Sequence, residues 1–185
     1  MICLKKIPSF PASAAILLLL FNGCSSPLHV PSPALTSEYH SSRTGLLKYR
    51  IPAGWVDVTR SAQGSSRHVW ILSHDYDASI EVNEVQIDAE VRAWIQREGL
   101  FGMAASVLKM AGSEGGVRVV DSLSFFTQGE VIFWTFETDA GSGGVQRVML
   151  FDTGTHCMEV RVWNKKDGPQ DTGDIGRAFV GSLRW

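Results

Sequence analysis

The sequence predicts an α+β fold in which an antiparallel sheet lies between layers of helix. Three observations lead there. From Val117 onward, four stretches of strand character follow one another across short turns, as in an antiparallel meander. Two of them, built on Val131-Ile132-Phe133-Trp134 and Val148-Met149-Leu150-Phe151, are apolar on both faces. A strand buried on both faces needs cover on both. Helical periodicity occurs mid-chain and again at the end, and helices at those two places can supply the two covers.

The elements follow in order. Leu46 to Ile51 reads as a strand stopped by the turn signal Pro52-Ala53-Gly54. Trp55 to Thr59 extends again, and Ser61 to Arg67 is loop. His68 to Ser73 is a further strand, His74-Asp75-Tyr76-Asp77 a turn, and Ser79 to Ile87 a strand. Asp88 can cap a helix from Ala89, with Glu90 in its favourable first turn. Val91, Trp94 and Ile95 mark one face of it. Met103, Val107, Leu108 and Ala111 carry it to Gly112 on a shifted phase, so a bend or break is expected at Gly99–Gly102. The meander strands are Val117–Phe126, Glu130–Asp139, Val145–Asp152 and His156–Trp163. In the third and fourth, two patterns differ: Met158, Val160 and Val162 alternate with Glu159, Arg161 and Trp163, as on a half-exposed strand. After a polar loop, Asp174 is expected to cap a last helix carrying Ile175, Phe179, Val180 and Leu183. Trp134 is expected to be buried in the central strand, with Ile132 and Phe136 on its face and Val131 and Phe133 on the other.

Two short motifs frame this order: Tyr49-Arg50-Ile51-Pro52-Ala53-Gly54-Trp55 at the start, and Ser182-Leu183-Arg184-Trp185 at the end. With the long helix, meander and closing helix between them, residues 46 to 185 resemble the PsbP-like domains. The resemblance implies the sandwich. It implies no activity, because members bind different partners and share no catalytic set.

The start of the chain has a different character. Lys5 and Lys6 precede the apolar run Ala14 to Phe21, and no acidic residue occurs before Glu38. This reads as a secretory signal peptide over residues 1–23. Leu20-Phe21-Asn22-Gly23-Cys24 resembles the lipobox of bacterial lipoproteins, which makes Cys24 the acylated N-terminus. Ordinary signal cleavage a residue or two later is the alternative. An uncleaved membrane span would need ~20 apolar residues, and the run is shorter. Ser25, rather than Asp, follows the cysteine; by analogy this favours an outer-membrane anchor facing the periplasm. Residues 24–44 are rich in Pro and Ser and read as a tether. The folded domain is then 45–185.

Composition excludes some functions. The full chain carries a net charge of −2, and loss of Lys5 and Lys6 leaves −4. With no basic block, nucleic acid has no electrostatic footprint on this domain. Once Cys3 leaves and Cys24 is acylated, Cys157 remains alone and no intramolecular disulfide can form. A buried apolar role suits Cys157 in its strand.

Candidate chemistry is sparse. Ser73-His74-Asp75 are consecutive, whereas catalytic triads converge in space, and no Gly-x-Ser-x-Gly elbow exists. His68 and His74 lie ~20 Å apart along an extended strand, too far to share one ion. Asp167, Asp171 and Asp174 lack calcium-loop spacing. His156 and Cys157 are neighbours and point to opposite faces. No cofactor or metal site is expected. Of the six tryptophans, Trp55, Trp70, Trp94 and Trp134 sit in apolar contexts and suit a core. Trp163 and Trp185 are the candidates for contact with a partner. The reading that results is a lipid-anchored, non-enzymatic accessory factor for an envelope complex, held to the membrane by its N-terminal lipid. A small-ligand or lipid carrier with a pocket between sheet and helix is the alternative, and an envelope hydrolase a third.

Overall fold

The computed structural model describes residues 34–61, 67–113, 115–139, 141, 143–166, 168 and 171–185. Cys24 and most of the residues expected to form a signal peptide and tether lie outside them. The elements are β1 (His40–Ser41), β2 (Lys48–Tyr49), β3 (Val56–Asp57), β4 (Arg67–Leu72), β5 (Ala78–Glu84), α1 (Ala89–Glu98), α2 (Phe101–Ser113), β6 (Arg118–Gln128), β7 (Val131–Asp139), β8 (Val145–Asp152), β9 (Cys157–Asn164) and α3 (Thr172–Ser182). β1 and β2 form a small ribbon. The other strands form one antiparallel sheet in the order β3-β4-β5-β9-β8-β7-β6. The α/β/α sandwich is as the sequence predicts: α3 packs on one face of the sheet, α1 and α2 on the other.

The two faces are unequally covered. Under α3, nineteen described residues are buried around Phe133, Met149, Phe151, Val160 and Phe179. Under α1 and α2 only seven are, and Val91, Trp94, Met103, Val107, Leu108, Leu123 and Trp134 are among those left half-buried. α2 itself buries only Ala104. The reason is in the chain: α1 turns off at Gly99, whose φ of 81° suits glycine. This is the expected break. It leaves two short helices over the β6–β9 side of the sheet.

Three expectations are corrected. Trp134 is not in the central strand. β9 is central, because it accepts β5 on the side away from β8; β7 is second from the edge, beside β6. Its odd positions still face α3 and bury Phe133, while Phe136 is buried towards α1 and α2. On that second face burial fades towards the β6–β7 turn, so Trp134 is half-buried and Ile132 is 48% exposed. The cap of α3 is Asp171, not Asp174: Asp171 is extended, and its Oδ1 accepts the N–H groups of Gly173 and Asp174 at 2.7 and 3.0 Å. Asp174 sits inside the first turn and pairs with Arg177. Finally, the strand expected over Leu46 to Ile51 is shorter, Lys48–Tyr49, and pairs with β1 outside the main sheet. Lys48 exchanges backbone hydrogen bonds with Arg184, and the Arg50 N–H donates to the Ser182 hydroxyl, so the segment runs beside the end of α3.

The last residues of the stretch expected to be a tether are not free of the domain. Residues 34–44 lie against the domain: the Ala53 N–H donates to the Ala34 carbonyl, the Thr36 N–H to that of Ile51, and His40 and Ser41 pair with Tyr49 and Lys48. The Arg50 guanidinium stacks over the Tyr39 ring at 4.6 Å.

One irregularity belongs to the sheet edge. β6 pairs with β7 over its length, but the register slips twice, between Val119 and Asp121 and again before Ser124. These bulges interrupt the longest strand of the sheet.

Candidate functional site

The richest polar constellation lies where residues 38–41 cross the start of the sheet. Tyr49 is wholly buried, and its hydroxyl donates to Asp57 Oδ2 at 2.7 Å. It also lies 3.2 Å from the Thr59 hydroxyl. The Thr59 N–H donates to Asp57 Oδ1 at 2.9 Å. His40 stacks on the Tyr49 ring, and its Nδ1 lies 3.0 Å from Asp57 Oδ2. Both Asp57 oxygens are thus engaged. Burial alone would raise the Asp57 pKa; the hydrogen bonds from Thr59 and Tyr49 outweigh it and hold the carboxyl below its usual range. Burial pushes the Tyr49 phenol well up, with Asp57 adding to it.

This relay ends at a cavity of about 400 Å³ lined by Glu38, Tyr39, His40, Ser41, Asp57 and Arg60. The Asp57 contact fixes His40 through Nδ1, so Nε2 is the ring nitrogen left for another partner. The sequence reading missed the site because a Pro/Ser-rich run was taken whole as a tether. The signal was present: Glu38-Tyr39-His40 places acidic, aromatic and imidazole groups together in an otherwise Ser/Pro stretch.

A second feature is apolar. The Trp134 ring meets Phe101 of α2 at 5.0 Å and Phe125 of β6 at 5.3 Å, tilted against both. Phe101 and Phe125 remain 54% and 61% exposed. With Ile132 they form an aromatic shelf at the open end of the poorly covered face.

The residues singled out from the sequence do not converge. Ser73, His74 and Asp75 form the turn between β4 and β5: the Ser73 hydroxyl accepts the Ala78 N–H at 2.9 Å, and Asp75 bonds within the turn. His68 lies near Thr44 and Glu84, away from His74. Asp167 lies outside the described residues. Among the described residues no group of three or more His, Cys, Asp or Glu side chains could hold a metal. Cys157 is fully buried, with Sγ 3.7 Å from Met103 Sδ, and burial pushes its thiol up to about 11. Trp55 is buried in the core as expected, whereas Trp70 and Trp94 are half-buried. Of the two partner candidates, Trp163 is half-buried in β9; Trp185 is 51% exposed, one side of its ring resting on Phe151.

Sheet order, helix placement and the segment threaded beside α3 define a PsbP-like sandwich. Among solved structures the chain is similar to cyanobacterial PsbP (CyanoP) from Synechocystis sp. PCC 6803, with a TM-score of 0.58 and 11% identity over 84% of this chain and 95% of that one. It is also similar to the Saccharomyces cerevisiae Ran-binding protein Mog1p, with a TM-score of 0.52 and 12% identity over 82% of this chain and 96% of that one. Likeness at these identities is likeness of fold. No family model and no curated protein matches the sequence.

Proposed function

We propose that this chain is a lipid-anchored envelope protein whose folded domain acts, without catalysis of its own, as a binding or accessory factor for a protein complex. The observation that carries the binding role is the aromatic shelf of Phe101, Phe125 and Trp134. Exposed, clustered aromatic rings are the usual anchors of protein interfaces. One structural neighbour is a Ran-binding protein, which supports the use of such a sandwich for protein binding. The anchor and the envelope location rest on Cys24 and the signal-like segment before it.

Two measurements test this. Intact-mass analysis of the native protein should find an acylated Cys24 at the N-terminus; an unmodified N-terminus beyond it removes the anchor from the proposal. Crosslinking in intact envelopes should trap a protein partner through the shelf. The double variant Phe101→Ser, Phe125→Ser should lose that partner while staying folded. Capture unchanged by the double variant would put the binding surface elsewhere.

A further inference from the structure

The polar cavity presents two opposite charges that do not neutralise each other. Glu38 and Arg60 both line it, and among the described residues neither side chain has an ion-pair partner. Most charges on the sheet are matched: Arg67 with Glu81, Arg92 with Asp152, Arg147 with Glu137 and Arg161 with Glu159. Asp57 is not paired with Arg60; its oxygens are engaged by Tyr49, Thr59 and His40. The residues that line the cavity therefore bring a guanidinium (Arg60), an imidazole (His40), a hydroxyl (Ser41) and one unpaired carboxylate (Glu38). The imidazole is rigidly held. It stacks on Tyr49 and is pinned by Asp57, and both are fixed in turn by a buried hydrogen-bond network. A cavity of about 400 Å³ is of the size that takes a small molecule.

We propose that this cavity binds a small zwitterion. Its oxyanion is received by Arg60, with His40 Nε2 and the Ser41 hydroxyl, and its ammonium by Glu38. A guanidinium suits the planar or branched oxygens of a carboxylate or phosphate. An ammonium needs an acceptor, and Glu38 is the one carboxylate in the cavity still without a partner. A free amino acid and the phosphoethanolamine group of a lipid share this chemistry.

The test uses the chain from residue 24 with Cys24→Ser, which keeps every described residue and removes the acyl group. Isothermal titration with O-phosphoethanolamine, alanine, inorganic phosphate and ethanolamine separates the alternatives. At least one zwitterion should bind about tenfold or more tighter than either fragment, each of which carries charge of one sign only, as two charge-assisted contacts require. Preference for O-phosphoethanolamine points to a lipid headgroup, and preference for alanine to a free amino acid. Arg60→Met and Glu38→Gln should each erase the advantage, and the His40 ring resonances should move on binding in the parent protein. Both substituted residues are exposed, so the variants should melt with the parent. Equal affinity for zwitterion and fragments, or an advantage that survives both substitutions, overturns the proposal.

Discussion

The indole of Trp94 lies directly over Gly102, so close that a Cβ at position 102 would overlap its six-membered ring. The contact joins α1 to α2 across the break at Gly99, and it is what allows two short helices to stay together on an incompletely filled face. Gly102→Ala should therefore destabilise the domain by about 1–3 kcal/mol, as overpacking does. Helix propensity alone would favour alanine by up to about 1 kcal/mol, so the sign separates the two effects. Urea denaturation of the two proteins measures it; a stabilised variant would show that the ring moves aside freely.

Acid stability should depend on Asp57. Its carboxyl titrates lower in the fold than in the unfolded chain, where an Asp has a pKa of about 3.9. The stabilisation from this group is therefore present above about pH 4 and lost as the pH falls through the folded value. Asp57→Asn should lower stability at neutral pH and flatten the decline below about pH 4. Thermal melts of both proteins from neutral to acid pH compare the slopes; parallel curves would mean that Asp57 is not held as described.

Phe133 and Trp134 are neighbours on β7 with different surroundings. Phe133 is wholly buried between Phe126 and Phe151, and Phe133→Ala should cost about 3–5 kcal/mol. Trp134→Ala should cost clearly less, because Trp134 is only half-buried. Denaturant midpoints rank them, and the reverse order would contradict the uncovered face.

Cys157 should be inert in the native protein. A buried thiol with its pKa pushed up to about 11 offers almost no thiolate at pH 8. A chromogenic disulfide reagent should react with it only in denaturant. Fast reaction in the native state would require an opening of β9 that its burial does not suggest.

A chain that starts at residue 45 should be less stable than one that starts at residue 34. The longer one keeps the β1–β2 ribbon, the Tyr39–Arg50 stack and the His40–Asp57 pair. Calorimetry of the two proteins decides it; identical melting temperatures would return residues 34–44 to the tether.

The sheet, the helix break and the sandwich were legible because hydrophobic periodicity reports burial. Val148 to Phe151 could only be a strand covered on both sides, and Gly99 could only interrupt its helix. Strand order was not legible. Nothing local to Trp134 says that β5, far earlier in the chain, will pair with β9 and displace β7 from the centre. The cap of α3 was misplaced by three residues because Asp174 directly precedes the first apolar position, Ile175, while Asp171 lies one turn earlier, and only the backbone decides which is extended. The cavity was hidden for a related reason: His40 and Asp57 meet through tertiary pairing of a segment whose composition resembles a linker.

The slips of register in β6 bear on how the protein survives at high local concentration. A straight exposed strand of that length offers unpaired backbone groups to any similar strand, and is a template for aggregation. Each bulge turns part of the edge away from the plane in which a second strand would lie. Copies crowded together can therefore collide edge to edge without zipping into a continuous sheet. The short β3 at the opposite edge gives little purchase either, so the molecule is guarded against polymerisation at both ends of its sheet while an apolar surface stays uncovered between them.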